Sequence, residues 1–244
     1  MKKGDKIYEG KAKILYATED PDLVIQYFKD EATAFDGKKK GVIREKGVLN
    51  NKISTRIFEF LEEKGVMTHF VEMLNDREML VKRLKIIPIE VVLRNIAAGS
   101  LSKRMGVDEG TPLKESILEF YYKSDPLGDP MINEYHIRAF GLAGQEDLKN
   151  IEASALKINA LLSGFFDSKG MMLVDFKLEF GTHKGAVLLG DEVTPDGCRL
   201  WDKATKEKLD KDRFRRDLGG VTEAYEMVLS RVIGATGGAG GERQ

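Results

Sequence analysis

The chain has 244 residues, 42% of them hydrophobic and 32% charged, the balance of an ordinary globular protein with room for one large domain or two lobes sharing a cleft. Its 39 Lys and Arg nearly cancel 40 Asp and Glu, so no bulk charge draws it to nucleic acid or to an acidic membrane surface, and anion recognition must be local. The single cysteine, Cys198, excludes an intrachain disulfide and fits a reducing cytosol; three histidines without a paired spacing argue against zinc, so a metal would be Mg²⁺ on carboxylates.

The opening MKKGDKIYEGKAK has no apolar stretch behind its basic residues and does not read as a secretory signal. No apolar run approaches the ~20 residues that span a bilayer. KIYEGKAKILYAT predicts a strand, a tight glycine turn and a second strand, and DLVIQYF and EMLVKRL predict two more. Between these, Ile53, Ile57, Phe60 and Leu61 fall at helical spacing, with Gly65 as the stop. Pro88 opens a strand that ends in the small-residue turn of IPIEVVLRNIAAGS.

Gly, Pro and Asp clusters mark residues 106–145 as loop-rich. Residues 146–168 form a helix with the stripe Leu148, Ile151, Ala155, Ile158, Leu162 and Phe165. MLVDFKLEFG and GAVLLGDEV are strands joined by GTHKG, and a last helix spans 211–233 through Phe214, Leu218, Val221, Tyr225, Val228 and Val232. The order predicts an α+β protein in two lobes: a smaller β-rich N-terminal lobe, residues 1–90, on a larger mixed α/β lobe, residues 91–234, with a flexible Gly-rich tail at 235–244. A cleft between such lobes is a usual place for a nucleotide.

In MLVDFKLEFG the period of two puts Asp175, Lys177 and Glu179 on one face and Val174, Phe176, Leu178 and Phe180 on the other. Pairing across GTHKG, centred near His183, sets Glu179 opposite Val187 and Asp175 opposite Asp191, which would join the charged face. Such a face is either a solvated row of alternating charges or a set of carboxylates that needs a cation, Mg²⁺ with a phosphate, among them. In YEGKAKILY, Gly10 lets backbone approach an anion and Lys11 and Lys13 add charge, although no P-loop motif is present and a plain hairpin reads the same way. Arg94 could fork onto a phosphate with Ser100 and Gly99 nearby, or simply pair with an acid. Arg199 follows the turn in DGCRLWDK, and Asp129, Asn133 and Glu134 in DPMINE are either loop capping groups or a polar site.

The segments IPIEVVLRNIAAGS and LVDFKLEFG closely resemble two signature segments of the SAICAR synthetase family, the phosphoribosylaminoimidazole-succinocarboxamide synthases. YEGKAK, DGKKKG, LNNKIS, GSLSKRMG, DPMINE, LLGDEVTPDGCRLWDK and KDRFRRDLGG resemble further family segments in the same order, from about residue 6 to about 230. The resemblance implies an ATP-dependent ligase of purine biosynthesis that joins L-aspartate to the carboxylate of carboxyaminoimidazole ribonucleotide (CAIR), through an acyl phosphate. It implies ATP contacts from the hairpin Gly10, Lys11, Ala12 and Lys13 and from the strand around Lys82 and Leu84. It likewise implies Mg²⁺ near Glu179, Asp191 and Asp129, catalytic parts for Lys177 and Asp175, and a CAIR 5′-phosphate held by Arg94, Ser100 and Arg199. Cys198 takes no part. A cytoplasmic homodimer is expected, with a nucleotide lobe of kinase-like outline. A phosphotransferase acting on a hydroxyl, or a nucleotide-binding module without chemistry, are the alternatives. The first lacks a His-Arg-Asp-type loop, and the second predicts a damaged acidic cluster where this one is whole.

Overall fold

The computed structural model describes residues 1–35 and 37–234; the tail at 235–244 lies outside them. The first sheet is antiparallel, in the order β1 (Lys6–Glu9), β2 (Lys13–Ala17), β3 (Leu23–Phe28), β7 (Glu78–Lys82), β6 (Phe70–Asn75). A separate hairpin, β4 (Glu31–Ala34) with β5 (Lys39–Val42), projects beside it. Helix α1 (Lys46–Glu63) turns Ile53, Ile57, Phe58 and Leu61 into the core, where they meet Val24, Phe28, Met79 and Val81 of the sheet. The alternation of LVIQYF supplies that apolar face.

The second sheet runs β10 (Met131–Ile132), β9 (Pro112–Tyr122), β8 (Lys85–Ile96), β11 (Met171–His183), β12 (Ala186–Gly190), with β13 (Cys198–Asp202) also paired to β11. The helical stripe of α4 (Gln145–Ser168) covers its apolar face: Ile151, Ala155, Ile158 and Leu162 are fully buried against Phe176, Leu178 and Phe180. β11 is thus the central strand, and its other face carries Asp175, Lys177 and Glu179. Short helices α2 (Gly99–Met105), α3 (Glu134–Ala139) and α5 (Asp212–Arg215) follow strand ends or turns, and α6 (Val221–Ile233) packs on α1.

Three expectations need correction. The region 106–145 holds an eleven-residue strand, β9, whose Lys114, Glu115, Ser116 and Glu119 break the apolar alternation. Glu119 lies opposite Val92 and is polar because its carboxylate accepts, on the diagonal, from Arg94 Nε at 2.7 Å. The helix at 211–233 is two helices, parted where Gly219 (φ 68°) and Gly220 (φ 59°) enter the left-handed region that side-chain-bearing residues avoid. The β11–β12 register also differs from the one expected. Glu179 lies opposite Gly190 and His183 opposite Ala186, because the turn is the two residues Lys184 (φ 49°) and Gly185 (φ 83°). Asp175 therefore has no partner in β12; it lies opposite Arg94 of β8 and Arg199 of β13.

Candidate active site

The charged face of β11 forms the floor of a cleft of about 670 Å³, roofed by the β1–β2 turn and flanked by the β4–β5 hairpin. Gly10, Lys11, Ala12, Lys13, Arg94, Ser100, Asp129, Asp175, Lys177, Glu179, Asp191 and Arg199 all line it. Lys82 and Leu84 are not among the lining residues: Lys82 donates to the Thr68 carbonyl at 3.0 Å, and Leu84 packs where a Cβ on Gly181 or Gly190 would stand 2.8 or 2.7 Å from it.

Two charge clusters divide the floor. In the first, Arg94 is buried and spends four of its five N–H donors: Nε on Glu119 (2.7 Å), Nη1 on Asp175 (3.1 Å), and Nη2 on Ser100 Oγ (3.2 Å) and Tyr121 OH (3.1 Å). Arg199 donates to Asp175 at 2.8 Å and to Asp212 at 3.0 Å, and Arg215 donates to Asp212 at 2.6 Å. Arg104 closes the chain onto Glu119. Asp175 thus stands between two arginines and orients both, while burial lifts its carboxyl above the ordinary range against the pull of Arg199 and Arg94. Five guanidiniums, those of Arg94, Arg104, Arg199, Arg215 and Arg216, meet three carboxylates, Glu119, Asp175 and Asp212, and Ser100 lies in the first turn of α2. This surplus of forked donors suits a phosphate monoester.

In the second cluster every carboxylate has an ammonium. Lys177 donates to Glu90 and Glu179, each at 2.8 Å, and lies 3.9 Å from Asp191. Lys123 donates to Glu179 at 2.7 Å, and Lys13 meets Asp191 directly. Burial opposes charge on Glu179, yet Lys177, Lys13 and Lys123 hold its carboxyl well below the usual carboxylate range. Burial likewise opposes charge on Lys177, and Glu179 with Glu90 outweighs it, raising the lysine above its ordinary value. Lys11 donates to Asp125 at 2.8 Å, tying the roof to the opposite wall. Asp129 accepts from the backbone N–H of Ser124 at 2.8 Å.

Among the described residues no three acids form a closed metal cage. Glu179 and Asp191, meeting at Lys177, are instead the donor set that Mg²⁺ takes when a nucleotide's phosphate oxygens complete its shell. The chemistry of the pair would fit such an ion only where other oxygens complete the shell.

Several residues of the cleft give little signal in the sequence. Glu90 and Lys123 reach Lys177 and Glu179 only through strand pairing. Asp196, Lys211 and Arg215 sit in turns and a short helix, where no periodicity marks them.

The family model described as SAICAR synthetase matches residues 6–232. The phosphoribosylaminoimidazole-succinocarboxamide synthase of Caldanaerobacter subterraneus subsp. tengcongensis is 59% identical over 232 residues, covering 95% of this chain and 99% of that protein. The crystal structure of the synthase from Ehrlichia chaffeensis superposes with a TM-score of 0.92 at 52% identity, covering 94% of this chain and 98% of the other. A SAICAR synthetase in complex with ADP superposes with a TM-score of 0.90 at 49% identity, covering 92% and 96%. The chain belongs to the SAICAR synthetase family.

Proposed function

We propose that this chain, as a member of that family, condenses CAIR with L-aspartate at the cost of ATP through an acyl phosphate, and that the two charge clusters divide the labour. The ligase reaction itself, giving SAICAR, ADP and phosphate in purine biosynthesis, is what family membership carries. The observation that supports the mechanism is the separation of an arginine-rich cluster from a lysine–carboxylate cluster on one strand.

A carboxylate is inert to an amine because its leaving group would be oxide. Moving the γ-phosphoryl onto a CAIR carboxylate oxygen makes phosphate the leaving group, and the aspartate amine then attacks the carbonyl carbon. The work left to the protein is positioning and charge neutralisation. Arg94, Ser100 and Arg199 hold the 5′-phosphate, with Asp175 fixing both guanidiniums. Lys177 steadies the transferred phosphoryl charge, and the Gly10–Lys13 turn covers the ATP phosphates, while Lys82 and Leu84 support the adenine side. Glu179 and Asp191, with Asp129 nearby, would hold Mg²⁺, which neutralises phosphate charge when bound.

The test is isotopic. CAIR labelled with ¹⁸O in its carboxylate should deliver one label to the released phosphate, since the bridging oxygen leaves with phosphorus. Unlabelled phosphate would refute the acyl phosphate, and ADP formation independent of CAIR would refute the substrate.

The same reading makes the protein a cytoplasmic homodimer. Its single, buried Cys198 suits a reducing compartment, and exposed Val71 and Met73 on β6, an edge strand, offer a surface that a second copy would cover. Light scattering on the purified chain reads the assembly directly.

A further inference from the structure

Most cations of the cleft are matched to acids at hydrogen-bond distance, as with Lys177 and Lys123 on Glu179 (2.8 and 2.7 Å) and Arg215 on Asp212 (2.6 Å). Lys211 is not. Its side chain lines the cleft and is 13% exposed; among the described residues its Nζ makes no hydrogen bond, and its one ion pair is with Asp196 Oδ1 at 3.9 Å. Nor is Asp196 free to neutralise it. Asp196 Oδ2 accepts from Lys46 (2.6 Å) and Asn50 (3.0 Å), and Oδ1 accepts from Tyr225 (2.8 Å). Lys46 alone balances the charge of Asp196, and Glu192, the other cleft acid whose field reaches Lys211, is paired with Lys13 at 3.4 Å, so the group keeps a positive charge in excess. A largely buried ammonium with unspent donors on a cleft wall calls for an anion.

The position narrows the choice of anion. The Lys177 N–H donates to the Gly197 carbonyl at 3.0 Å, and the Lys211 N–H donates to the Pro195 carbonyl at 3.1 Å. The segment carrying Asp196 is therefore fixed beside the lysine–carboxylate cluster. On the other side, the Arg215 N–H donates to the Lys211 carbonyl at 2.9 Å, next to the arginine cluster. The 5′-phosphate and the phosphoryl group already have their cations in these two clusters. The two carboxylates of the amino-acid substrate have none.

We propose that Lys211 is a substrate-binding residue that takes a carboxylate of L-aspartate, with Asp196, clamped by Lys46, Asn50 and Tyr225, as the fixed counter-charge that aims it. This rests on the ligase reading, which wild-type turnover with each substrate varied in turn tests before any variant is compared.

Lys211→Met is expected to raise the KM for L-aspartate about ten- to a hundredfold, the worth of one charge-assisted hydrogen bond, while the KM values for CAIR and ATP stay within about threefold. Succinate, a dicarboxylate without the amine, should compete with aspartate in the wild type and lose that competition in Lys211→Met. Lys211→Arg, which keeps the cation, should restore most of the aspartate KM. If Lys211→Met fails to fold by circular dichroism, Lys211→Gln against Lys211→Arg makes the same comparison. An unchanged aspartate KM in an active wild-type background overturns the assignment. So does a rise concentrated in ATP or CAIR, which would move Lys211 to one of those substrates and leave the ligase reading standing.

Discussion

Replacing Arg94 by alanine tests the phosphate cluster most directly. Arg94 has committed four N–H donors, to Glu119, Asp175, Ser100 and Tyr121, and one Nη1 hydrogen is unspent. If that donor meets the 5′-phosphate, its loss costs about 1.5–3 kcal/mol, the range for a hydrogen bond to a charged group, or roughly ten- to 150-fold in CAIR affinity. The partners left behind are not stranded. Asp175 keeps Arg199 at 2.8 Å, and Glu119 keeps Arg104 and the Tyr121 hydroxyl. The fold should therefore lose less than the ~3–5 kcal/mol of an abandoned buried charge. Steady-state kinetics with CAIR and ATP varied separately reads the effect, beside inhibition by the dephosphorylated nucleoside. CAIR should weaken by the stated factor, ATP by less than about threefold, and the nucleoside not at all. An equal loss for ATP, or for the nucleoside, would mean that Arg94 only braces the sheet through Glu119 and Asp175.

Three further outcomes are expected. Glu179→Gln removes the charge that Lys177 and Lys123 share, and should lower kcat by about 10²–10³-fold with CAIR affinity nearly unchanged, read by turnover and by equilibrium binding. The Asp196 carboxyl is held below its unfolded value chiefly by Lys46, against burial, so its contribution is complete above about pH 4 and declines as the pH falls further, by at most ~1.4 kcal/mol per pH unit. Denaturant unfolding should then show the stability gap between wild type and Lys46→Met narrowing below about pH 4; a gap constant from pH 6 to 3 would contradict this. Gly181→Ala would place a Cβ 2.8 Å from Leu84 Cβ and 2.9 Å from the Lys85 carbonyl, so it should destabilise by about 1–3 kcal/mol, seen as a lowered thermal midpoint.

The features legible in the sequence are those set by a local period. The stripe of α4 repeats every 3.6 residues and buries the predicted side, and so does the alternation of β11 from Phe176 to Phe180; a bulge before Asp175 sends Val174 to Ala98 and Trp201 and gives its core place to Leu173. What stayed hidden depends on contacts far along the chain. β9 is hidden by the Gly, Pro and Asp clusters around it and by Glu119, whose place is polar because Arg94, 25 residues away, meets its carboxylate together with Arg104 and the Tyr121 hydroxyl. The helix at 211–233 looks continuous because Leu218 falls in phase with its apolar stripe, yet Leu218 is 50% exposed and two glycines turn the chain beside it. Asp191 was drawn to the site by a strand register it does not have. It arrives instead just past the end of β12, with φ 61°, and still reaches Lys13 and Lys177. The residue type pointed to the chemistry, whereas the turn decided the route.

That both clusters grow from one strand has a chemical consequence. Asp175 and Glu179 are four residues apart, about 13 Å at the usual strand rise, with Lys177 between them. A ribonucleotide laid along this face would present its phosphate to Arg94 and Arg199 at one end and its base carboxylate to Lys177 and Glu179 at the other. β11 is paired on both sides, to β8 and to β12 and β13, and its apolar face is packed under α4. The distance between the arginine cluster and the lysine–carboxylate cluster is then fixed by backbone hydrogen bonds. Such a spacing favours a substrate of one length. A ribonucleotide lacking the 5′-phosphate would lose its anchor as well as affinity, and should suffer in kcat as well as in KM.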